Sequence, residues 1–92
     1  MHILDDFFEN IADDPRITNT HISLYMALFY EWSQRGFTNP ITFEKERIMQ
    51  LAKISSPVTY FKSLKNLHEF GYINYMPAGH RYMKSTVYFF GG

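Results

Sequence analysis

The sequence predicts an α+β domain, mainly helical, with four helices, one short strand before the third helix and a C-terminal two-stranded hairpin. Three observations carry that expectation. Apolar residues recur at helical spacing from residue 2 to about residue 70 and then alternate with period two. Pro15, Gly36, Pro40, Pro57 and Gly71 punctuate the pattern at intervals that fit short helices and strands. The 92 residues include one Trp, seven Tyr and nine Phe, a large aromatic supply for filling one small core.

The first helix is expected over residues 2–13. Leu4, Phe7, Phe8 and Ile11 stand at i, i+3, i+4 and i+7, one stripe with acids opposite. Asp13-Asp14-Pro15 ends it, because the residue before a proline avoids the α region. The second helix starts at Thr18 or Thr20, either of which can cap it, and runs to about Arg35, with Gly36 as its stop. Ile22, Tyr25, Phe29 and Trp32 form its main stripe, and Leu24 and Leu28 widen it, as suits a central helix.

Asn39-Pro40 marks a turn, and Ile41-Thr42-Phe43 alternates as a very short strand. Helix three is expected from Glu44 to Lys53, with acids in the first turn, where the helix dipole favours them, and Ile48, Leu51 and Ala52 facing inward. In Ser55-Ser56-Pro57, Ser56 can cap a fourth helix and Pro57 fits its first position, where a missing N–H costs nothing. That helix runs to about Phe70, with Tyr60, Leu64 and Leu67 on one face and Gly71 ending it. Residues 72–76 and 85–90 then read as two strands, and the stretch 77–84 between them makes a hairpin tip carrying His80, Arg81 and Lys84.

Composition narrows the function. There is no cysteine, which removes disulfides, thiolate catalysis and Cys-based zinc sites and fits a reducing cytosol. No apolar run reaches about 18 residues, so no membrane span is expected. The start of the chain carries Asp5, Asp6 and Glu9 instead of a basic region, so no signal peptide is expected. Net charge is zero, but it is unevenly distributed. Residues 1–50 hold eight acids and four bases, net −4, whereas residues 51–92 hold five bases and one acid, net +4. Such asymmetry points to a basic working surface in the C-terminal half.

The order helix, short strand, helix, turn, helix, hairpin is that of a winged helix-turn-helix, and particular residues carry the resemblance. Leu51-Ala52-Lys53, then Ser55-Ser56-Pro57-Val58-Thr59-Tyr60, then Leu64-x-x-Leu67-x-x-x-Gly71-Tyr72-Ile73 resembles the winged-helix pattern of bacterial transcriptional regulators and replication-initiator N-terminal domains. The segment from Leu64 to Ile73 is the most specific part. The turn before Thr59 is about two residues shorter than is common in regulators and lacks the usual glycine. The resemblance covers residues 20–90 as the winged-helix core of a single domain spanning 1–92, with 1–15 as an N-terminal helical extension. It implies sequence-directed binding of double-stranded DNA by a regulator, with helix 56–70 in the major groove and wing 77–85 on the adjacent backbone. The chain also resembles small bacterial winged-helix proteins, which implies a mobile-element or plasmid context and a role in replication or transfer.

The side chains fit that work. Ser55, Ser56, Thr59 and Ser63 offer short polar groups toward the N-terminal end of the candidate recognition helix, and Tyr60 stands among them at a position that also suits the core. Lys62 and Lys65 can neutralise phosphates, and His80, Arg81 and Lys84 can do so from the wing. Of the residues that commonly read bases, the helix carries only Asn66, so shape, wing contacts or dimer spacing are expected to contribute to specificity.

Other classes are weaker. The four histidines at 2, 21, 68 and 80 are scattered, and no metalloprotease, Walker or nucleophile-elbow motif is present, so no catalysis, metal or cofactor is expected, and no residue pattern identifies a small-molecule substrate. His2 with Asp5, Asp6 and Glu9 reads better as a solvated helix face than as a metal site. Gly91-Gly92 reads as a frayed end. The competing function is a protein-interaction module. The aromatic residues Phe7, Phe8, Tyr30, Phe37, Phe89 and Phe90 exceed what one small core needs, and a homodimer through Leu4, Phe7, Phe8 and Ile11 is expected on either reading.

Overall fold

Residues 3–77 and 84–90 are described in a computed structural model of the chain. The N-terminal stripe folds as helix α1 (Ile3–Ala12), which stops ahead of Asp13-Asp14-Pro15. Ile3 and Phe7, four apart, are buried; Leu4 and Ile11 pack beside them, half-buried. Of the predicted stripe only Phe8 turns outward, 46% exposed. The expected dimer face of Leu4, Phe7, Phe8 and Ile11 is therefore corrected: its centre belongs to the chain's own core. A stripe centred on residues 3, 7 and 11 leaves residue 8 at its edge. Phe7 stacks on Tyr25 of helix α2 (Asn19–Gln34), with ring centroids 3.7 Å apart and planes 2° from parallel.

Helix α2 is central, as its broad apolar surface predicts, and buries Leu24, Tyr25, Ala27, Leu28 and Trp32. It closes at Gly36, whose φ of +70° is a backbone conformation that glycine adopts without a Cβ penalty. The Phe37 N–H donates to the Trp32 carbonyl at 2.9 Å, satisfying one of the helix's last acceptors. Buried Glu31 is held by Arg47 of the following helix at 2.6 Å and by Arg35 at 3.6 Å.

Three antiparallel strands, β1 (Ile41–Phe43), β2 (Ile73–Met76) and β3 (Ser85–Phe89), form one sheet in the order β1-β3-β2. Ile41 and Tyr75 both lie opposite Val87, and Ile73 lies opposite Phe89, so the alternate residues of all three strands share the buried face. Asn39 extends the β1 edge with its side chain, donating from Nδ2 to the Phe89 carbonyl and accepting the Phe89 N–H, each at 2.9 Å. Phe89 stacks on Trp32 at 4.5 Å and meets Tyr25 edge-on at 5.5 Å. Phe7, Tyr25, Phe89 and Trp32 thus make a continuous aromatic column joining α1, α2 and the sheet.

Helix α3 (Lys45–Ala52) buries Ile48 and Ala52, four apart. Leu51 was expected to face inward but is 37% exposed, because it sits one helical step off that row. It lines a groove with Met26 and Tyr30 of α2 instead. The Ser23 hydroxyl donates to the Ala52 carbonyl and ties α2 to the end of α3. Helix α4 (Pro57–Glu69) follows, with Ser56 as its cap: the Thr59 N–H donates to Ser56 Oγ at 3.3 Å. Gly71, at φ +86°, ends it, and the Tyr72 N–H returns to the Leu67 carbonyl at 2.9 Å.

Among the described residues the molecule is a small, mainly helical α+β structure with four helices and a three-stranded antiparallel sheet, and each predicted element is present with its ends moved by about one residue. No helix among them is long and apolar enough to cross a membrane.

Candidate nucleic-acid interface

The surface of interest begins where α3 ends. Lys53 takes the left-handed conformation at φ 61° and ψ 38°, the position a turn glycine would occupy with less strain. The Ile54 N–H returns to the Met49 carbonyl at 2.9 Å, and the buried Ile54 side chain anchors the turn. This geometry leaves the Lys53 and Ser55 side chains exposed. Thr20, Lys53, Ser55, Ser56 and Thr59 then line a shallow pocket of about 210 Å³ at the start of α4. Its lining is rich in hydroxyls, while Pro57 has no N–H and the Thr59 and Tyr60 N–H groups are taken by Ser56.

Helical spacing sorts the rest of α4. Tyr60, Ser63, Leu64 and Leu67 face the core. Val58, Lys62, Lys65 and Glu69, at i, i+4, i+7 and i+11, run down the opposite face, and all four are exposed. Thr59 and Asn66 flank this stripe on one side, and Phe61 and His68 on the other. Phe61 meets Tyr60 edge-on at 5.0 Å, with the Lys45 ammonium 5.7 Å from its ring centre. Among the described residues Lys53, Lys62 and Lys65 take part in no ion pair.

Of the expected contact residues, Ser55, Ser56 and Thr59 come together at the head of α4, and Lys62 and Lys65 continue along its outer face. Ser56 is half-buried and its oxygen is engaged in the cap. Two expectations are corrected. Ser63 is buried, and Tyr60 is fully buried with its hydroxyl unpaired among the described residues, so neither reaches a surface ligand. Both stand on the row that holds α4 to the core, and for Tyr60 the core reading of its spacing prevails. Burial pushes the Tyr60 phenol well above its usual pKa, and Tyr75 and Glu46 add to the shift, so the ring is neutral. Lys84 is exposed and lies 3.8 Å from Glu44 at the head of α3, which partly offsets its charge. His80 and Arg81 lie outside the described residues, as do His2, Gly91 and Gly92.

Sequence reasoning did not assign Lys53 or Val58 to this surface. Lys53 was legible as a base directly after the last residue of α3. Val58 was legible only as an apolar residue off the Tyr60–Leu64–Leu67 row.

The neighbouring charges explain which groups are free. Arg16 lies over the Phe70 ring at the end of α4, 4.1 Å from its centre, but its guanidinium grips both oxygens of Asp14, each at 2.8 Å. The Tyr72 hydroxyl donates to the same carboxylate at 2.6 Å. Arg16 and then Tyr72 hold the Asp14 carboxyl well below the usual carboxylate range, and the Tyr72 phenol is pushed up to about 12 by burial and by Asp14. Arg16, its side chain exposed, thus has its charge offset by Asp14 of the same chain.

Asn66 is also engaged by its own chain. His21, buried at the third position of α2, accepts the Thr18 N–H on Nδ1 at 2.9 Å, and its Nε2 lies 3.1 Å from the Asn66 side-chain amide. Burial lowers the His21 pKa and nearby Lys62 lowers it further, while Asp14 opposes both. The helix's single amide side chain thus joins α2 to α4 and is only half-exposed. Across the described residues, no group of three His, Asp or Glu side chains is arranged to hold a metal ion. No family model, curated protein or solved structure matches the chain.

Proposed function

We propose that the chain binds duplex DNA as a winged helix-turn-helix domain, with α4 in the major groove and the β2–β3 hairpin as the wing. The observation that carries this reading is the outer face of α4. It presents Lys62 and Lys65, free of ion pairs among the described residues, beyond exposed Lys53, Ser55 and Thr59 at the helix head. A helix of this kind can place its N-terminal residues at base edges while its lysines neutralise phosphates. The order α2-β1-α3-α4-β2-β3 and the sheet order β1-β3-β2 support the same reading. The biological role that fits is a transcriptional regulator, or an accessory to replication or transfer of a mobile element.

The test is fluorescence anisotropy with a random-sequence duplex at low and moderate salt. A domain making about four phosphate contacts loses roughly two orders of magnitude in affinity between about 50 and 200 mM salt. Lys62→Ala with Lys65→Ala is expected to weaken binding on every sequence and to flatten the log–log salt slope by about 2. Adding Arg81→Ala extends the same test to the wing. An unchanged slope in the Lys62/Lys65 variant removes α4 from the interface.

A second reading has its own support. Phe8, Tyr30 and Phe90 are 46%, 46% and 54% exposed, and the groove formed by Met26, Tyr30 and Leu51 is apolar. These favour a protein-interaction module, by homodimerisation or with another partner. Association through them would be insensitive to salt, which separates the two readings.

A further inference from the structure

We propose that Val58 reads the 5-methyl group of a pyrimidine in the major groove, so that the chain's target carries a thymine or 5-methylcytosine opposite the head of α4. The inference rests on the DNA-binding reading above and adds a base-discriminating contact to it.

Val58 is 77% exposed, the largest exposure among the large apolar side chains of the described residues. It stands at the second position of α4, in the turn that a major-groove helix brings nearest the base edges. Local structure gives little reason for valine there. An exposed first-turn position favours an acid through the helix dipole, and a β-branched residue is a mediocre helix former. Helices α1 and α3 place acids in their first turns, namely Asp5, Asp6 and Glu46, whereas the first turns of α2 and α4 have none.

The neighbours of Val58 indicate a polyanion as the occupant. Lys62 lies one turn along the same stripe and Lys65 two turns along, while Ser55 and Thr59 are exposed beside the helix head. With both lysines further along the stripe assigned to phosphates, the apolar group at its head is left for base edges. The apolar feature of the major groove is the pyrimidine 5-methyl, which Ala, the Thr methyl and Phe are known to contact. The hydrogen-bonding route to base discrimination is narrow on this helix: α4 carries no Arg or Gln, its one Asn is tied to His21, and Lys62 and Lys65 are assigned above to phosphates.

The experiment enriches a duplex from a randomised pool at low salt, then replaces each thymine of that duplex in turn with deoxyuridine, which differs only by the methyl group. Loss of one buried methyl is expected to weaken binding about fourfold at one or two positions per site. Val58→Ala, whose shorter side chain keeps only part of the contact, is expected to bind the parent duplex more weakly than wild type and to lose much of the response to the substitution. A thermal melt of Val58→Ala checks that the fold is intact. If deoxyuridine has no effect but 5-methylation of a cytosine tightens binding through Val58, the methyl belongs to 5-methylcytosine and the proposal stands. If neither change alters wild-type affinity, or if Val58→Ala keeps the full methyl dependence, the proposal is overturned while DNA binding survives. Failure of the pool to bind at low salt overturns both.

Discussion

Replacing Phe7 by alanine tests whether α1 is an integral part of the fold or an exposed arm available for dimerisation. The ring is 3% exposed, stacks on Tyr25 at 3.7 Å and meets Tyr72 edge-on at 5.5 Å. Deleting a buried phenylalanine costs about 3–5 kcal/mol, from the transfer energy of the ring and the cavity left behind. A 92-residue domain holds roughly 5–14 kcal/mol in total, so the change removes a large share of the stability. At about 4–8 °C per kcal/mol for a domain of this size, the melting temperature should fall by at least about 12 °C. Phe8→Ala is the internal control. Phe8 lies on the same helix but is 46% exposed, and its loss should cost about 1 kcal/mol or less. The assay is urea unfolding followed by circular dichroism, repeated at two protein concentrations tenfold apart. The Phe7→Ala deficit should be the same at both, because the Phe7 ring packs against Tyr25 and Tyr72 of its own chain. Equal losses in the two variants, or a Phe7→Ala deficit that appears only at the higher concentration, would refute the placement of Phe7 in the core and restore the dimer face.

Three further outcomes are expected. Lys53→Gly should raise stability by about 0.5–1 kcal/mol, since relief of the left-handed strain at φ 61° exceeds the added chain entropy, and it should weaken duplex binding by removing a base; paired denaturation and anisotropy curves would check both. Tyr60→Phe should leave duplex binding unchanged and should not destabilise the fold, gaining up to about 1 kcal/mol, because the buried hydroxyl has no partner among the described residues. Stability should also fall as the pH drops below about 6.5, the ordinary histidine value. Burial depresses the folded-state pKa of His21, so the unfolded chain takes up the proton first, and the loss continues until the folded value is reached. Urea midpoints at about pH 7.5 and 5.5 should show this slope. His21→Gln, which keeps an acceptor for the Thr18 N–H, should reduce it.

The sequence by itself determined the elements and their order. Helix and strand periods differ, Ser56-Pro57 and Gly71 bound α4, and Asn39-Pro40 bounds β1, so local chemistry placed every described element to within about one residue. It also located the basic half of the chain and the exposed lysines of α4. Tertiary structure decided which residues at the margins of the apolar stripes the core takes. A stripe at i, i+3, i+4 and i+7 looks the same whether it packs inward or against a partner, and only the stack of Phe7 on Tyr25 assigns it inward. Leu51 lies one helical step from Ala52, and whether that step faces core or groove depends on where α2 crosses α3. The same holds for the polar residues of α4: Ser63 read as a surface candidate until packing turned its row inward, Tyr60 suited both core and surface until burial assigned it to the core, and only the fold shows that Asn66 is engaged by His21, 45 positions earlier in the chain. Local spacing sets which residues share a face. What each face meets is set by packing between residues far apart in sequence, which no local pattern encodes.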